Sequence, residues 1–175
     1  MSGISNKYPS GWPTVDSRSK SECPDISGLY LNFGAFSYNR YELQNHVSLT
    51  RFIPNVRAEQ GDIQVRISFD EVKRDFQIET VGRQSTGVEI VGHLKSTEID
   101  CSKGVLWLKP TTDGDIEGLA GYKSRTKWGF QLAEDGSLVG QEQTWTVGFF
   151  LIVPGGSKQT FWYRWDRAID ANVSK

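Results

Sequence analysis

Strict alternation of apolar and polar residues is the feature that most restricts the fold of this chain. In segment 63–70 every second residue is apolar: Ile63, Val65, Ile67 and Phe69. Successive side chains of a β-strand point to opposite faces of its sheet, so this pattern predicts a strand with one buried face. Segment 76–79 repeats the pattern after a polar turn, and the two segments together predict a β-hairpin.

Further short apolar runs, separated by turn residues, extend this pattern over most of the chain. The segment 23–32 opens the series, and Gly104, Asp135-Gly136 and segment 154–157 are turn signals of hairpin length. The further strands that we predict are 88–91, 97–101, 105–108, 128–132, 138–139, 144–153 and 160–165. About nine strands joined by tight turns predict an all-β fold, a single antiparallel up-and-down barrel or sandwich.

One segment has a helical pattern. Leu43 and Val47 are four residues apart within segment 41–52, and a proline follows two positions after its end, so we predict one short helix here. Segment 32–37 and the glycine- and aspartate-rich segment 110–122 are expected to be loops.

Length and charge set the organisation of the chain. Its 175 residues, 37% of them hydrophobic, suffice for one core, and we predict a single β domain at 23–167. The polar segment 1–22 is expected to be an extended leader, and we expect its aromatic residues Tyr8 and Trp12 to be loosely held; the alternative is that they pin the leader to the body. The tail 168–175 is expected to be flexible. The formal net charge of −1 gives no indication of a nucleic-acid partner.

Two cysteines, Cys23 and Cys101, leave two alternatives open. An even number is compatible with one disulfide, which would close a long loop. Free cysteine is also among the residue types most often found in protein cores, so two reduced, buried thiols fit the count equally well.

Metal and catalytic motifs are weakly represented. His46 and His93 lack the close ligand spacing of a structural zinc site. Segment 113–118 resembles the start of a calcium loop, but its twelfth position is Ser124, where such a loop has a bidentate glutamate. The common local signatures of hydrolases, metalloproteases and nucleotide-binding proteins are missing. We therefore predict no metal, no cofactor and no catalytic residue from the sequence.

Segment 161–167 is the densest aromatic stretch. Alternation places Phe161, Tyr163 and Trp165 on one face and Trp162 with Arg164 on the other. If Trp162 and Arg164 face outward, they are candidate ligand-binding residues, a stacking platform for a sugar or an aromatic ligand. The alternative is a closing strand in which Arg164 pairs with a carboxylate or stacks on an indole.

Several short motifs resemble a group of uncharacterised lipoproteins of the Gram-negative bacterial envelope. The most specific motif is the block Cys-Pro-Asp-Ile-Ser-Gly-Leu-Tyr-Leu-Asn at 23–32, and the others are Tyr8-Pro9, Trp12-Pro13, Asp-Gly-Ser at 135–137 and Trp-Tyr-Arg at 162–164. The resemblance implies an envelope protein, exported by a signal, on the periplasmic side of the outer membrane. Membrane attachment would then depend on a lipid anchor, which this chain does not contain. In such an oxidising compartment the Cys23–Cys101 disulfide is the favoured alternative.

Three functions follow as hypotheses. The first is a non-enzymatic envelope domain that binds a protein or another envelope component. The second is a lipocalin-like carrier of a small ligand, suggested by sequential strands and by Gly28-Leu29-Tyr30 near the start of the body. The third is a hydrolase whose two carboxylates come from distant parts of the chain.

Overall fold

The computed structural model describes residues 7–15, 23–38, 41–52, 63–70, 75–82, 91–151 and 153–169. Within these residues the chain is almost entirely antiparallel β-structure. The strands are β1 (Gly28–Leu31), β2 (Phe33–Tyr38), β3 (Tyr41–Ser48), β4 (Ile63–Asp70), β5 (Asp75–Gly82), β6 (Val91–Leu94), β7 (Ile99–Ser102), β8 (Val105–Leu108), β9 (Thr111–Glu117), β10 (Ala120–Leu132), β11 (Leu138–Phe150) and β12 (Val153–Trp165). Two short 3₁₀ turns lie at Leu49–Phe52 and Ser96–Glu98.

The strands form two sheets. The smaller sheet has the order β1-β4-β5-β6, and the larger has the order β3-β2-β12-β11-β10-β8-β7, with β9 also pairing with β10. This arrangement confirms the all-β, antiparallel prediction and is sandwich-like, so the barrel form of that prediction is wrong. The closed barrel on which the lipocalin-like hypothesis relied is therefore not the architecture of the described chain.

The core lies between the two sheets and takes side chains from both. Its central residue is Trp165, which is fully buried and donates its indole N–H to the Val47 carbonyl oxygen at 3.0 Å. The other buried core residues are Ile26, Tyr30, Val47, Leu49, Phe52, Val65, Ile67, Phe76, Ile78, Leu106, Leu108, Phe130, Leu138 and Tyr163. Val65 and Ile67 are members, as their alternation predicts.

Two predicted hairpins have the expected turns. Between β7 and β8, Lys103 and Gly104 have φ angles of 56° and 73°, the pair of positive values that a two-residue hairpin of primed type requires. Between β10 and β11, Gly136 has a φ of 82° and Ala133 N donates to Ser137 O at 2.9 Å. The predicted Asp135-Gly136 signal therefore marks a true turn.

The predicted helix at 41–52 is wrong. Residues Tyr41–Ser48 form β3, and a 3₁₀ turn at Leu49–Phe52 follows. A separation of four residues is even, so it places positions 43 and 47 on the same side of a strand as well as of a helix. Pairing with β2 decides between the two, and segment 32–37, predicted as a loop, belongs largely to that strand.

Two further loop predictions are wrong. Segment 110–122 contains β9 and the start of β10, and segment 154–157 is part of β12, so the β11–β12 turn begins at Leu151 instead. These corrections raise the strand count from about nine to the twelve of the described residues. Of the predicted strand 88–91, positions 88–90 lie outside the described residues, and Val91 begins β6.

Candidate functional site

The alternation predicted for the last strand is observed. Tyr163 and Trp165 are buried in the core, and Phe161 packs against it. Trp162 and Arg164 therefore lie on the opposite side of the larger sheet, which we call the outer face because it points away from the smaller sheet. Both side chains are partly buried on that face.

Arg164 is held by acidic and hydroxyl groups of the chain. Its Nη2 lies 3.1 Å from Asp135 Oδ2 and 3.0 Å from Asp166 Oδ1, and its Nε donates to Ser137 Oγ at 3.3 Å. This is the ion-paired alternative considered from the sequence. The guanidinium links the β10–β11 turn to β12, which gives Arg164 a role in positioning that turn.

The leader covers the neighbouring indole. Tyr8 meets Trp162 edge to face with ring centroids 5.1 Å apart, and it also contacts Trp12 at 6.0 Å. Burial raises the pKa of the Tyr8 hydroxyl to about 12. Trp12 is only 6% exposed, and its indole N–H has no hydrogen-bond partner among the described residues.

Backbone contacts extend the docking of this segment. Glu134 N donates to Thr14 O at 2.9 Å, and Val15 forms a β-bridge with Ala133. Residues 7–15 are thus packed onto the outer face at the β10–β11 turn, so the expectation that Tyr8 and Trp12 are loosely held is wrong and the alternative, in which they pin this segment to the body, is observed. The Trp162–Arg164 pair is consequently engaged with other parts of the chain and does not form an uncovered stacking platform.

The ion pair between Asp135 and Arg164 can be tested by changing the pH. Burial alone would raise the pKa of its carboxyl, but hydrogen bonds from Ser137 and the charge of Arg164 together lower it. A carboxyl group whose pKa is lower in the folded than in the unfolded protein stabilises the fold at pH values above its ordinary pKa near 4. This stabilisation is lost as the pH falls through the pKa of the folded state. We expect Asp135→Asn to lower the free energy of unfolding at pH 7 by up to about 1 kcal/mol, and the difference from the unmodified protein to vanish near pH 2.

Urea unfolding at the two pH values measures this effect. The control is Asp100→Asn, which removes an exposed carboxylate of β7 away from Arg164. A difference for Asp135→Asn that persists unchanged at the lower pH would contradict the assignment.

Strands β9 to β12 continue well beyond the core. Of the residues at 109–127 and 142–159 whose burial the structure describes, each is at least partly exposed. We call this extension the distal ribbon: β9 with residues 120–127 of β10, 143–150 of β11 and 153–160 of β12. At about 3.3 Å per residue it is about 25 Å long.

The outer face of the distal ribbon is basic. Strand register places Lys123, Arg125 and Lys127 of β10 on the same face as Lys158 of β12. Lys158 Nζ lies 5.4 Å from the centre of the Trp145 ring, which occupies the same face. We call these four cations the basic band.

The other face of the ribbon has a different character. Asp113 and Asp115 of β9 lie there, in register with Ser124 and Tyr122. Thr126 and Thr144 share a hydrogen bond of 3.0 Å between their hydroxyls on this face. The ribbon therefore has a cationic side and an acidic, hydroxyl-bearing side.

The acidic segment that resembles a calcium loop lies on a strand. Asp113 and Asp115 each accept a hydrogen bond from the backbone N–H of the following residue. Among the described residues, no three His, Cys, Asp or Glu side chains are grouped so as to hold a metal ion. Similarly, none of the helices in the described ranges is long and apolar enough to cross a bilayer.

Large apolar side chains are exposed at the far end of the ribbon. Seven of them are between 41% and 73% exposed: Ile116, Leu119, Tyr122, Val147, Phe149, Leu151 and Val153. We call this group the apolar tip. Apolar groups of this size gathered in one place are typical of a surface that contacts another molecule.

The backbone of Leu151, at the tip, has a conformation that is unfavourable for leucine. Its φ angle is +59°, a left-handed value that asparagine or glycine adopts with less strain. Its side chain is 52% exposed, so burial within the described chain does not offset that strain. Its N–H donates to Leu119 O at 2.7 Å, which joins the two turns of the tip.

Cys23 and Cys101 lie at disulfide distance, with Cα atoms 5.0 Å apart. Cys23 precedes β1 of the smaller sheet, and Cys101 belongs to β7 at the edge of the larger sheet. The pair therefore links the two layers of the sandwich, and the alternative of two free thiols is not the arrangement observed.

The carboxylates near the core bear on the hydrolase hypothesis. Glu142 Oε2 accepts a hydrogen bond from the Tyr163 hydroxyl at 2.7 Å, and burial together with this contact raises the pKa of that hydroxyl. Asp135 has a lowered pKa, which suits an ion-pair partner, whereas a general acid in a carboxylate pair needs a raised one.

Sequence reasoning missed the basic band and the apolar tip. The signal was present in the alternation of Lys123, Arg125 and Lys127, but a segment exposed on both faces lacks the apolar alternation that marks a strand.

Comparison of the chain with protein-family models, with curated proteins and with solved structures gives no match.

Proposed function

We propose that this chain is a non-enzymatic domain of the bacterial cell envelope, on the periplasmic side of the outer membrane, that binds another envelope component through the apolar tip. The observation that carries the proposal is the collection of exposed apolar side chains at the end of a ribbon that the core does not require. A four-stranded ribbon presents its end as a defined surface. Exposed hydrophobic side chains beside cationic ones form a surface that can bind a partner.

The cysteine pair supports the proposed location in the periplasm. Disulfides form and persist in oxidising compartments such as the periplasm, and the two sulfurs here are at disulfide distance. Attachment of the protein by a lipid anchor belongs to the same proposal and rests on the resemblance of segment 23–32 to envelope lipoproteins.

Removal of the two leucines of the tip tests the binding role. We expect Leu119→Asn combined with Leu151→Asn to reduce co-sedimentation with envelope fractions at least tenfold, because burying even one leucine contributes about 1.5–3 kcal/mol. Asparagine accepts a left-handed backbone, so the change at position 151 should not destabilise the fold.

The matched control carries Leu31→Asn and Ile169→Asn, which remove two exposed apolar side chains outside the ribbon. It should sediment like the unmodified protein. Equal binding by the tip variant and the control would overturn the proposal, provided that urea unfolding shows both variants to be folded.

A further inference from the structure

We infer that the partner of the apolar tip is the surface of an anionic phospholipid bilayer, into which the tip inserts shallowly while the basic band contacts the headgroups. The inference rests on the proposed function and names its partner class. It differs from the expectation that membrane contact depends on a lipid anchor alone.

Charge complementarity is the first argument. On the outer face of the distal ribbon the charged side chains of the described residues are the four cations of the basic band: Lys123, Arg125, Lys127 and Lys158. The aspartates of the ribbon, Asp113 and Asp115, lie on its other face. A surface with one-sided positive charge beside an apolar end matches a bilayer whose headgroups are negative and whose interior is apolar.

Distances along the strand give the second argument. Lys123 is four residues from the turn residue Leu119, which corresponds to about 13 Å in an extended strand. An interfacial element buries its apolar part by about 5–10 Å, and lysine side chains can reach further to the headgroups. Insertion of the tip to this depth therefore brings the first cation of the band to the headgroup level.

An indole lies among the cations of the basic band. Trp145 is on the outer face, in register with Arg125 and Lys158, and Lys158 Nζ approaches its ring. At about 20 Å from the turn residue Leu119, this ring lies outside the inserted tip and belongs to the part of the surface that would contact the headgroups.

The backbone hydrogen bonds of the two central strands continue up to the tip. Strands β10 and β11 are paired along their whole length, up to Ala120 and Phe150, and the Leu151 N–H is bonded to Leu119 O. Backbone groups that are already paired lose less free energy when water is excluded than unpaired groups do. The strained Leu151 places an apolar side chain at the extreme end, where a sterically easier residue would be polar or glycine.

Vesicle flotation tests the inference directly. The unmodified protein is mixed with phosphatidylethanolamine vesicles that contain or lack phosphatidylglycerol. We expect binding to the anionic vesicles that weakens as salt is raised, because exposed charges are screened over about 8 Å at physiological ionic strength. Lys123→Gln with Arg125→Gln should weaken this binding about thirtyfold.

Two controls separate this site from general attraction between charges. Lys103→Gln with Arg167→Gln removes two exposed cations, beside the β7–β8 turn and the β10–β11 turn, at the end of the fold opposite the tip, and should leave binding unchanged. Leu119→Trp places an indole at the tip itself, and brominated lipid should quench its fluorescence. An equal loss of binding in the two double variants, or no added quenching in Leu119→Trp, would overturn the inference.

The outcomes also separate this inference from the proposed function. If the unmodified protein does not float with anionic vesicles while the tip variant still loses envelope binding, the partner is a protein or glycan, and only the lipid inference fails. If the unmodified protein floats with anionic vesicles, and its envelope binding survives digestion of envelope proteins by protease and is lost in the tip variant, the lipid inference is supported. If the tip variant binds envelopes normally, both proposals fail.

Discussion

Replacement of Cys23 by serine is expected to lower the free energy of unfolding by roughly 4 kcal/mol, a large part of the 5–15 kcal/mol of a typical domain. The two cysteines are 78 residues apart in sequence, and a crosslink over so long a loop removes much of the freedom of the unfolded chain. In the folded protein the same link joins the start of the smaller sheet to β7 of the larger one.

Urea unfolding with and without a reductant measures this contribution. The reductant should destabilise the unmodified protein by the same amount as the substitution and should have no effect on a variant that carries both Cys23→Ser and Cys101→Ser. Equal stability of the oxidised and reduced protein would contradict the prediction. The same measurement tests the proposed periplasmic location, because a domain whose stability depends on a disulfide is best suited to an oxidising compartment.

The core and most hairpins could be predicted from the sequence because burial leaves a mark on the residue pattern. Val65 and Ile67 alternate with polar residues and are buried as expected. The glycine at 136 marks a turn because glycine adopts the left-handed backbone that this position requires without steric strain. These signals are local, and a single sequence is enough to read them.

The failures have a different origin. The separation of Leu43 and Val47 fits a strand and a helix equally, and only pairing with β2 decides between them. Strand β9 is charged and glycine-bearing, and it is held by pairing with β10, so its residues carry no burial signal. In both cases the deciding interaction is a partner strand, which the local sequence does not show.

The candidate site illustrates the same limit. Alternation correctly assigned Trp162 and Arg164 to the outer face, but it could not show that Tyr8 and Asp135 engage them. The apolar tip combines residues of two turns that are far apart in the chain. The register of β10 with β11 and of β11 with β12 brings these residues together, and no sequence motif marks them.

Replacement of Trp165 by alanine is expected to cost about 3–5 kcal/mol, the range for the largest buried side chains. The indole is fully buried and packs with Tyr163, Phe52 and Phe130 at centroid distances of 5.9, 5.5 and 6.3 Å. Its loss also leaves the Val47 carbonyl without the indole donor.

The cavity left by this change cannot close easily. A side chain at Gly34 would help to fill it, but a Cβ there would also lie 2.2 Å from the backbone carbonyl of Arg164, whose strand is paired with β2. The matched control is Trp145→Ala, which removes the same side chain from the exposed distal ribbon and should cost less than about 1 kcal/mol. Urea unfolding of the two variants compares them directly. A loss at Trp165 no larger than that at Trp145 would mean that the sandwich is not organised around Trp165, whereas a large difference would separate the buried part of the larger sheet, which stabilises the fold, from the distal ribbon, which is free to bind a partner.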